Sequence, residues 1–174
     1  MEHPPVHIIN TTHEDLPLVY WLFEQAILYQ RQHGYPAWRG YEKNALPSEV
    51  EQLLQYKVLQ YHDVLAIFSV SYSDPATWGE WDTGQALFLH RIITHPQFKG
   101  QRVFEKVRDW ALRKAREKGL HYIRIDTWTD NPTIIAFYER YGFHVVAARV
   151  TPDSPELPTQ NRNLRVTLME LPVA

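Results

Sequence analysis

Apolar residues recur in adjacent pairs at four-residue steps, Leu18/Val19, Leu22/Phe23 and Ala26/Ile27, which places them on one face of a helix. Ahead of them Thr12-His-Glu-Asp15 has the form of a capping box that starts a helix, and Val6 to Asn10 reads as a short first strand. The stripe runs out at His33-Gly34, and Tyr35 to Tyr41 reads as an aromatic, structured loop. Ser48 is the expected cap of a short helix from Glu49 to Leu54. Lys57 to Tyr61 and Val64 to Ser71 then look like strands joined by a two-residue turn at His62-Asp63. Asp74-Pro75, Gly79 and Gly84 break the pattern before a mostly apolar strand, Ala86 to Thr94, with the character of one buried on both faces.

Helical spacing returns from Gln101 to Lys118 in Val103, Val107, Trp110/Ala111 and Ala115, with Gly119 where a left-handed closing residue is wanted. A strand from His121 to Trp128 follows. Asp130-Asn131-Pro132 is a strong helix start, a capping side chain followed by proline where a missing N–H costs nothing. Ile134, Phe137/Tyr138 and Tyr141 form that helix's stripe and Gly142 its stop. Phe143 to Val150 and Leu164 to Leu171 are the last strands, separated by the proline- and asparagine-rich Thr151 to Asn163. With neither repeat nor interdomain linker, the order predicts one mixed α/β domain over residues 1–174 around a strand-helix-strand unit.

Composition narrows the function classes. Of 174 residues 44% are hydrophobic and 22% charged, ordinary for a globular chain and unlike a disordered one. No cysteine is present, which removes disulfides, thiolate metal sites and a cysteine nucleophile. Neither a leader pattern nor a run of about 18 apolar residues occurs, so a soluble, cytoplasmic protein without membrane association is expected. A net charge of −2 argues against nucleic-acid binding. The charge is nonetheless uneven: from Gln97 to Lys118 eight basic residues face three acidic ones. Such a run is either a solvated helix face or an anion site. A buried strand that enters a glycine-containing turn and then a basic helix aims free N–H groups, the helix dipole and cationic side chains at an anion, here around Lys99, Gly100, Gln101 and Arg102.

Five segments in order, Ile92-Ile93-Thr94-His95-Pro96, Lys99-Gly100-Gln101-Arg102, Ile125-Asp126-Thr127-Trp128, Asn131, and Phe137-Tyr138-Glu139-Arg140-Tyr141-Gly142-Phe143, together resemble the GNAT acyltransferases. The resemblance implies a largely antiparallel central sheet of about seven strands flanked by about four helices. It implies acetyl-CoA as co-substrate, its pantetheine arm in a gap beside Ile92, Ile93 and Thr94 and its pyrophosphate at the Lys99 to Val103 loop, with Asn131 as a further contact. In that family the loop reads Arg/Gln-x-x-Gly-x-Gly/Ala; here Arg102 and Phe104 replace both glycines. Two outcomes stay open: Gly100 supplies the turn while Lys99 and the Arg102 guanidinium hold phosphate by charge, or cofactor binding is lost.

The resemblance makes Tyr138 the proton donor to the departing thiolate, against the bland reading of a core tyrosine. Asp126 falls where some members of the family carry a basic carboxylate, against an ion pair with Arg124 two residues earlier on the same strand face. His90 is the competing base. Thr94 or a neighbour is the expected backbone donor to the thioester oxygen, and direct attack by a small-molecule or peptide amine in a ternary complex follows. Tyr29, Tyr35, Trp38, Tyr41, Trp78 and Trp81 are candidates to line the acceptor site. The nine histidines include no His-Glu-x-x-His, so no metal is expected; serine-hydrolase and P-loop motifs are also absent. The alternative is a GNAT-like ligand-binding or regulatory protein without catalysis, and the oligomeric state, a homodimer included, stays open.

Overall fold

The capping box at Thr12 forms, its N–H donating to the Asp15 carboxylate at 2.8 Å, and the chain passes through a 3-10 turn into helix α1 (Leu16–Gln32). The structure is a computed structural model that describes residues 4–35, 43–157 and 159–174. After β1 (Val6–Asn10) and α1 come α2 (Ala45–Glu51), β2 (Gln55–Gln60), β3 (Asp63–Ser71), α3 (Pro75–Trp78) and β4 (Ala86–Thr94). The chain continues through α4 (Val103–Glu117), β5 (Tyr122–Trp128), α5 (Pro132–Arg140), β6 (His144–Val150) and β7 (Arg165–Pro172). The seven strands form one sheet in the order β1-β2-β3-β4-β5-β7-β6, antiparallel at every pairing except β4 with β5. The mixed, largely antiparallel sheet expected from the sequence is therefore present.

Apolar packing separates the two faces of the sheet. Helix α4 lays Val103, Phe104, Val107, Ala111 and Ala115 on one face, against Phe68 of β3, Leu87 and Leu89 of β4 and Ile123 and Ile125 of β5. On the other, Val19, Leu22 and Phe23 of α1 and Leu46 of α2 meet Ile67 and Ile93, while Trp78 of α3 covers Phe88. Strand β4 thus presents even residues to the α3 side at Phe88 but an odd one to the α1 side at Ile93. A β-bulge makes the switch: between the pairs Ser69↔His90 and Ile67↔Ile93 the fourth strand carries one residue more than the third, and Arg91 adopts φ +47°.

Several local boundaries differ from the sequence reading. The β2–β3 turn is Tyr61–His62, with Tyr61 at φ +54°, one residue earlier than expected. Helix α2 starts at Ala45 behind Asn44 rather than at Glu49, because Pro47 sits in its first turn, where an N–H has no intrahelical partner to lose. Helix α3 was not anticipated; Asp74 caps it by accepting from the Thr77 N–H at 3.4 Å, with Pro75 in its first turn. Trp78, expected among the acceptor-lining aromatics, is instead fully buried between Phe88 and the Arg124 guanidinium. Trp38 and Tyr41 lie outside the described residues.

Candidate active site

The bulge lies just past the point where β4 stops pairing with β5. The two strands pair in parallel only over Ala86–Phe88 with Tyr122–Arg124. Beyond that point they part around a cavity of about 660 Å³, within the range of ligand sites. Ile92, Ile93 and Thr94 line it from β4, Asp126 from β5, and Asn131 and Tyr138 from the α5 segment. Lys99, Gly100, Arg102 and Val103 border it at the start of α4, whereas Gln101 does not. Thr94 stands opposite Ala66 of β3. Asn131 caps α5 by accepting from the Ile134 N–H at 3.1 Å, which also fixes its side chain at the cavity edge.

The loop before α4 keeps a glycine-like backbone without the glycines. Gly100 is at φ +85° with open space where a Cβ would stand, and Arg102 is itself left-handed at φ +56°. That conformation strains a side-chain-bearing residue by about 1–2 kcal/mol. Its side chain points into solvent, 76% exposed, and pairs with Glu105 at 2.6 Å. Phe104 does not crowd the loop. Its ring turns into the core, with centroids 5.1 Å from those of Tyr138 and Tyr141. Lys99 Nζ lies 3.4 Å above the Tyr29 ring, and partial burial lowers its pKa. Tyr29, Tyr35 and Trp128 border the cavity at its α1 side; Tyr29 stacks on His33 at 3.9 Å and Tyr35 lies 6.2 Å from Trp128.

At the polar corner of the cavity, lined by His90 and Asp126, a third residue, Asp74, stands behind the lining. One donor atom each from Asp74, His90 and Asp126 lie within 4.8 Å of one another. Burial, with the Asp74 charge beside it, pushes the Asp126 carboxyl up to about 7. Burial and the neighbouring Arg91 push the His90 imidazole down to about 3, so it is neutral across the physiological range. Its Nε2 is 2.7 Å from Ser71 Oγ. Arg91 is itself tied to Glu49 of α2. Burial likewise raises Asp74; the Thr77 hydrogen bond opposes the shift, Asp82 adds to it, and Arg149 opposes it. Two carboxyls and a neutral imidazole so placed suit a positive charge, whether a proton, an ammonium group or a small metal ion.

Tyr138 belongs to the apolar side, among Phe104, Phe137 and Phe143. Burial, reinforced by the Asp126 charge, raises its hydroxyl above the ordinary phenol range. The Arg124–Asp126 ion pair weighed from the sequence does not form: Arg124 donates to Glu170 of β7 at 2.9 Å and to the Trp81 carbonyl at 2.6 Å. Sequence reasoning missed Asp74. Its Asp-Pro helix start, of the same kind as Asn131-Pro132, was a legible signal for α3, but no local pattern indicated where its carboxylate would point.

A profile described as the acetyltransferase (GNAT) family matches residues 48–143. An uncharacterized N-acetyltransferase of Bacillus subtilis (strain 168), YesJ, is 30% identical over 80 residues, 43% of this chain and 42% of that protein, so the match spans less than half of the relative's length. Among solved structures, a GNAT-family acetyltransferase from Listeria monocytogenes 4b F2365 superposes with a TM-score of 0.72 at 16% identity, covering 95% of each chain. YncA of Salmonella typhimurium, a putative acetyltransferase solved with its cofactor acetyl-CoA, superposes at 0.65 with 19% identity, over 97% of this chain and 94% of that one. At these identities the structural likeness establishes the fold.

Proposed function

The chain belongs to the acetyltransferase (GNAT) family, and from that premise we propose that it transfers an acetyl group from acetyl-CoA to a primary amine by direct attack in a ternary complex. One observation carries the reading: the parted β4 and β5 enclose a cavity bordered by a carboxyl whose pKa is raised to about 7 and by a tyrosine hydroxyl held protonated. The acetyl-CoA bound by the Salmonella neighbour and the name of the Bacillus relative support the choice of co-substrate and of nitrogen as acceptor. Lys99, the Gly100 turn and Arg102 are the proposed pyrophosphate contacts, with Ile92 to Thr94 and Asn131 along the rest of the co-substrate. The left-handed Arg102 fits this role, since it preserves the turn while its exposed guanidinium needs only to exchange Glu105 for phosphate.

In this reading Asp126 takes the proton of the incoming ammonium group. The freed amine attacks the thioester carbonyl, and Tyr138 protonates the departing sulfur. His90 is too weak a base for the first step, being neutral down to about pH 3. The test is a thermal shift with acetyl-CoA followed by a screen of amines for released CoA thiol. Stabilisation of about 2.7 kcal/mol is expected at a hundredfold excess over Kd. A protein that acetyl-CoA does not stabilise at millimolar concentration lacks the assigned co-substrate, and the non-catalytic alternative then stands.

A further inference from the structure

Behind the corner of the cavity stands a second carboxylate, Asp74, for which the mechanism above has no use. Asp74 caps the four-residue helix α3, but a cap needs only an acceptor side chain, and asparagine serves as well as aspartate. A charged cap set within 4.8 Å of Asp126 in a largely dehydrated corner is costly, because like charges repel most where water is excluded. The surroundings hold it there. The Asp74 N–H donates to Asp82 Oδ2 at 2.7 Å, and Ser73 Oγ donates to the same oxygen at 2.9 Å, clamping the turn that carries the carboxylate. On the opposite side His90 is anchored to Ser71 Oγ.

We infer that Asp74 is a positioning residue for acetyl transfer: beside Asp126 and His90, its carboxylate makes Asp126 the group that takes the proton from an acceptor amine arriving as an ammonium ion. Asp74 is not part of the cavity lining and acts through Asp126. The inference rests on the acetyl-transfer reading. Two interacting carboxyls in one dehydrated site titrate as a pair that shares a proton, so the ionised partner strengthens the basicity of the other. Among the described residues, the groups that face Asp126 are Asp74 from the start of α3, His90 and Arg91 from β4 and Tyr138 from α5; Asp74 in turn faces Asp82 and Arg149 of β6. Arg91 opposes the effect and is occupied by Glu49; His90 adds no charge.

The proton balance closes. An N–H bond of the ammonium group breaks as an O–H bond forms on Asp126, and the nitrogen lone pair then bonds to the thioester carbonyl carbon. The C–S bond breaks and the sulfur takes the Tyr138 proton. Tyr138 recovers a proton from the acylated nitrogen, and Asp126 returns its own to solvent. The products are the amide, CoA thiol and one proton.

The test is a carbon-13 carboxyl titration of the ligand-free wild type, D74N and D74E, with the Asp126 signal assigned by its loss in D126N. In the wild type its midpoint is expected near 7. In D74N, which keeps the cap acceptor, the midpoint falls by about a unit or more, whereas D74E restores it. The acidic limb of kcat/KM for the amine moves with it, the alkaline plateau of kcat/KM drops several-fold, and KM for acetyl-CoA stays unchanged. An unshifted midpoint in an active D74N enzyme overturns the role of Asp74 alone. A shifted midpoint in a wild-type protein that acetylates no amine overturns the catalytic role together with the proposed function. Retention of one equivalent of zinc by the dialysed wild type, lost in D74N, also overturns it, because a bound divalent cation would keep both carboxylates ionised.

Discussion

The two walls of the cavity are half-buried alike and are built from opposite materials. On the α4–α5 side Tyr138 sits among Phe104, Phe137 and Phe143; on the α3 side Asp126 sits with Asp74 and His90. Desolvation raises the pKa of both Tyr138 and Asp126, yet the consequences differ with the starting value. A phenol raised further stays protonated throughout the physiological range, as a proton donor must before it reacts. A carboxyl raised to about 7 changes state within that range, as the proposed base must. One physical cause thus has opposite consequences on the two walls, which is what the proposed acid and base roles of Tyr138 and Asp126 require.

Removing the acid is expected to have the largest effect. Tyr138→Phe keeps the ring and its packing but deletes the proton, so kcat should fall about 10²- to 10⁴-fold with little change in KM for acetyl-CoA, as measured by thiol release. An unaltered kcat would reduce Tyr138 to a wall residue and break the comparison. Next, Phe104→Ala removes a buried ring that supports Tyr138 and should cost roughly 3–5 kcal/mol of stability in denaturant unfolding. It should leave the Asp126 titration in place. If that midpoint moved as well, the two walls would not be independent.

The smallest effect concerns the base. The unfolded chain releases the Asp126 proton near 3.8, whereas the fold retains it to about 7. Between those values the folded state binds more protons, so the group's contribution to stability falls as pH rises and levels off above about 7. Asp126→Asn removes this penalty and is expected to be more stable than the wild type at about pH 8, the difference vanishing below about pH 4. At this chain length each kcal/mol appears as roughly 2–4 °C in Tm. A variant less stable at high pH would show that the carboxylate is compensated by a partner and is not available as a base.

Much of this site was legible because its determinants are local. Spacing placed Tyr138 on a helix stripe, the Asn-Pro step placed Asn131 at that helix's start, and the apolar run placed Ile92 to Thr94 on an inner strand. The replaced glycines at Arg102 and Phe104 left the loop open in the sequence; in the structure Arg102 keeps a left-handed backbone and the Phe104 ring turns into the core. A residue's identity does not reveal whether its backbone tolerates φ +56° or which way its ring turns. The Arg124–Asp126 pair failed for a related reason. Residues two apart share a strand face, but the cross-strand neighbour competes, and Glu170 directly opposite Arg124 on β7 is closer to its guanidinium.

By itself, the sequence determined every strand and the longer helices, their apolar faces, the basic approach to α4 and the family motifs, all of which depend on neighbours within a few positions. Only the tertiary structure decided that β4 carries a bulge and parts from β5, and that Asp74, His90 and Asp126 meet at the cavity's corner. These outcomes depend on strand register and on side chains far apart in the chain. A shift of one residue in β4 would carry His90 to the other face of the sheet, a choice made by packing across the sheet and by no pattern along the chain.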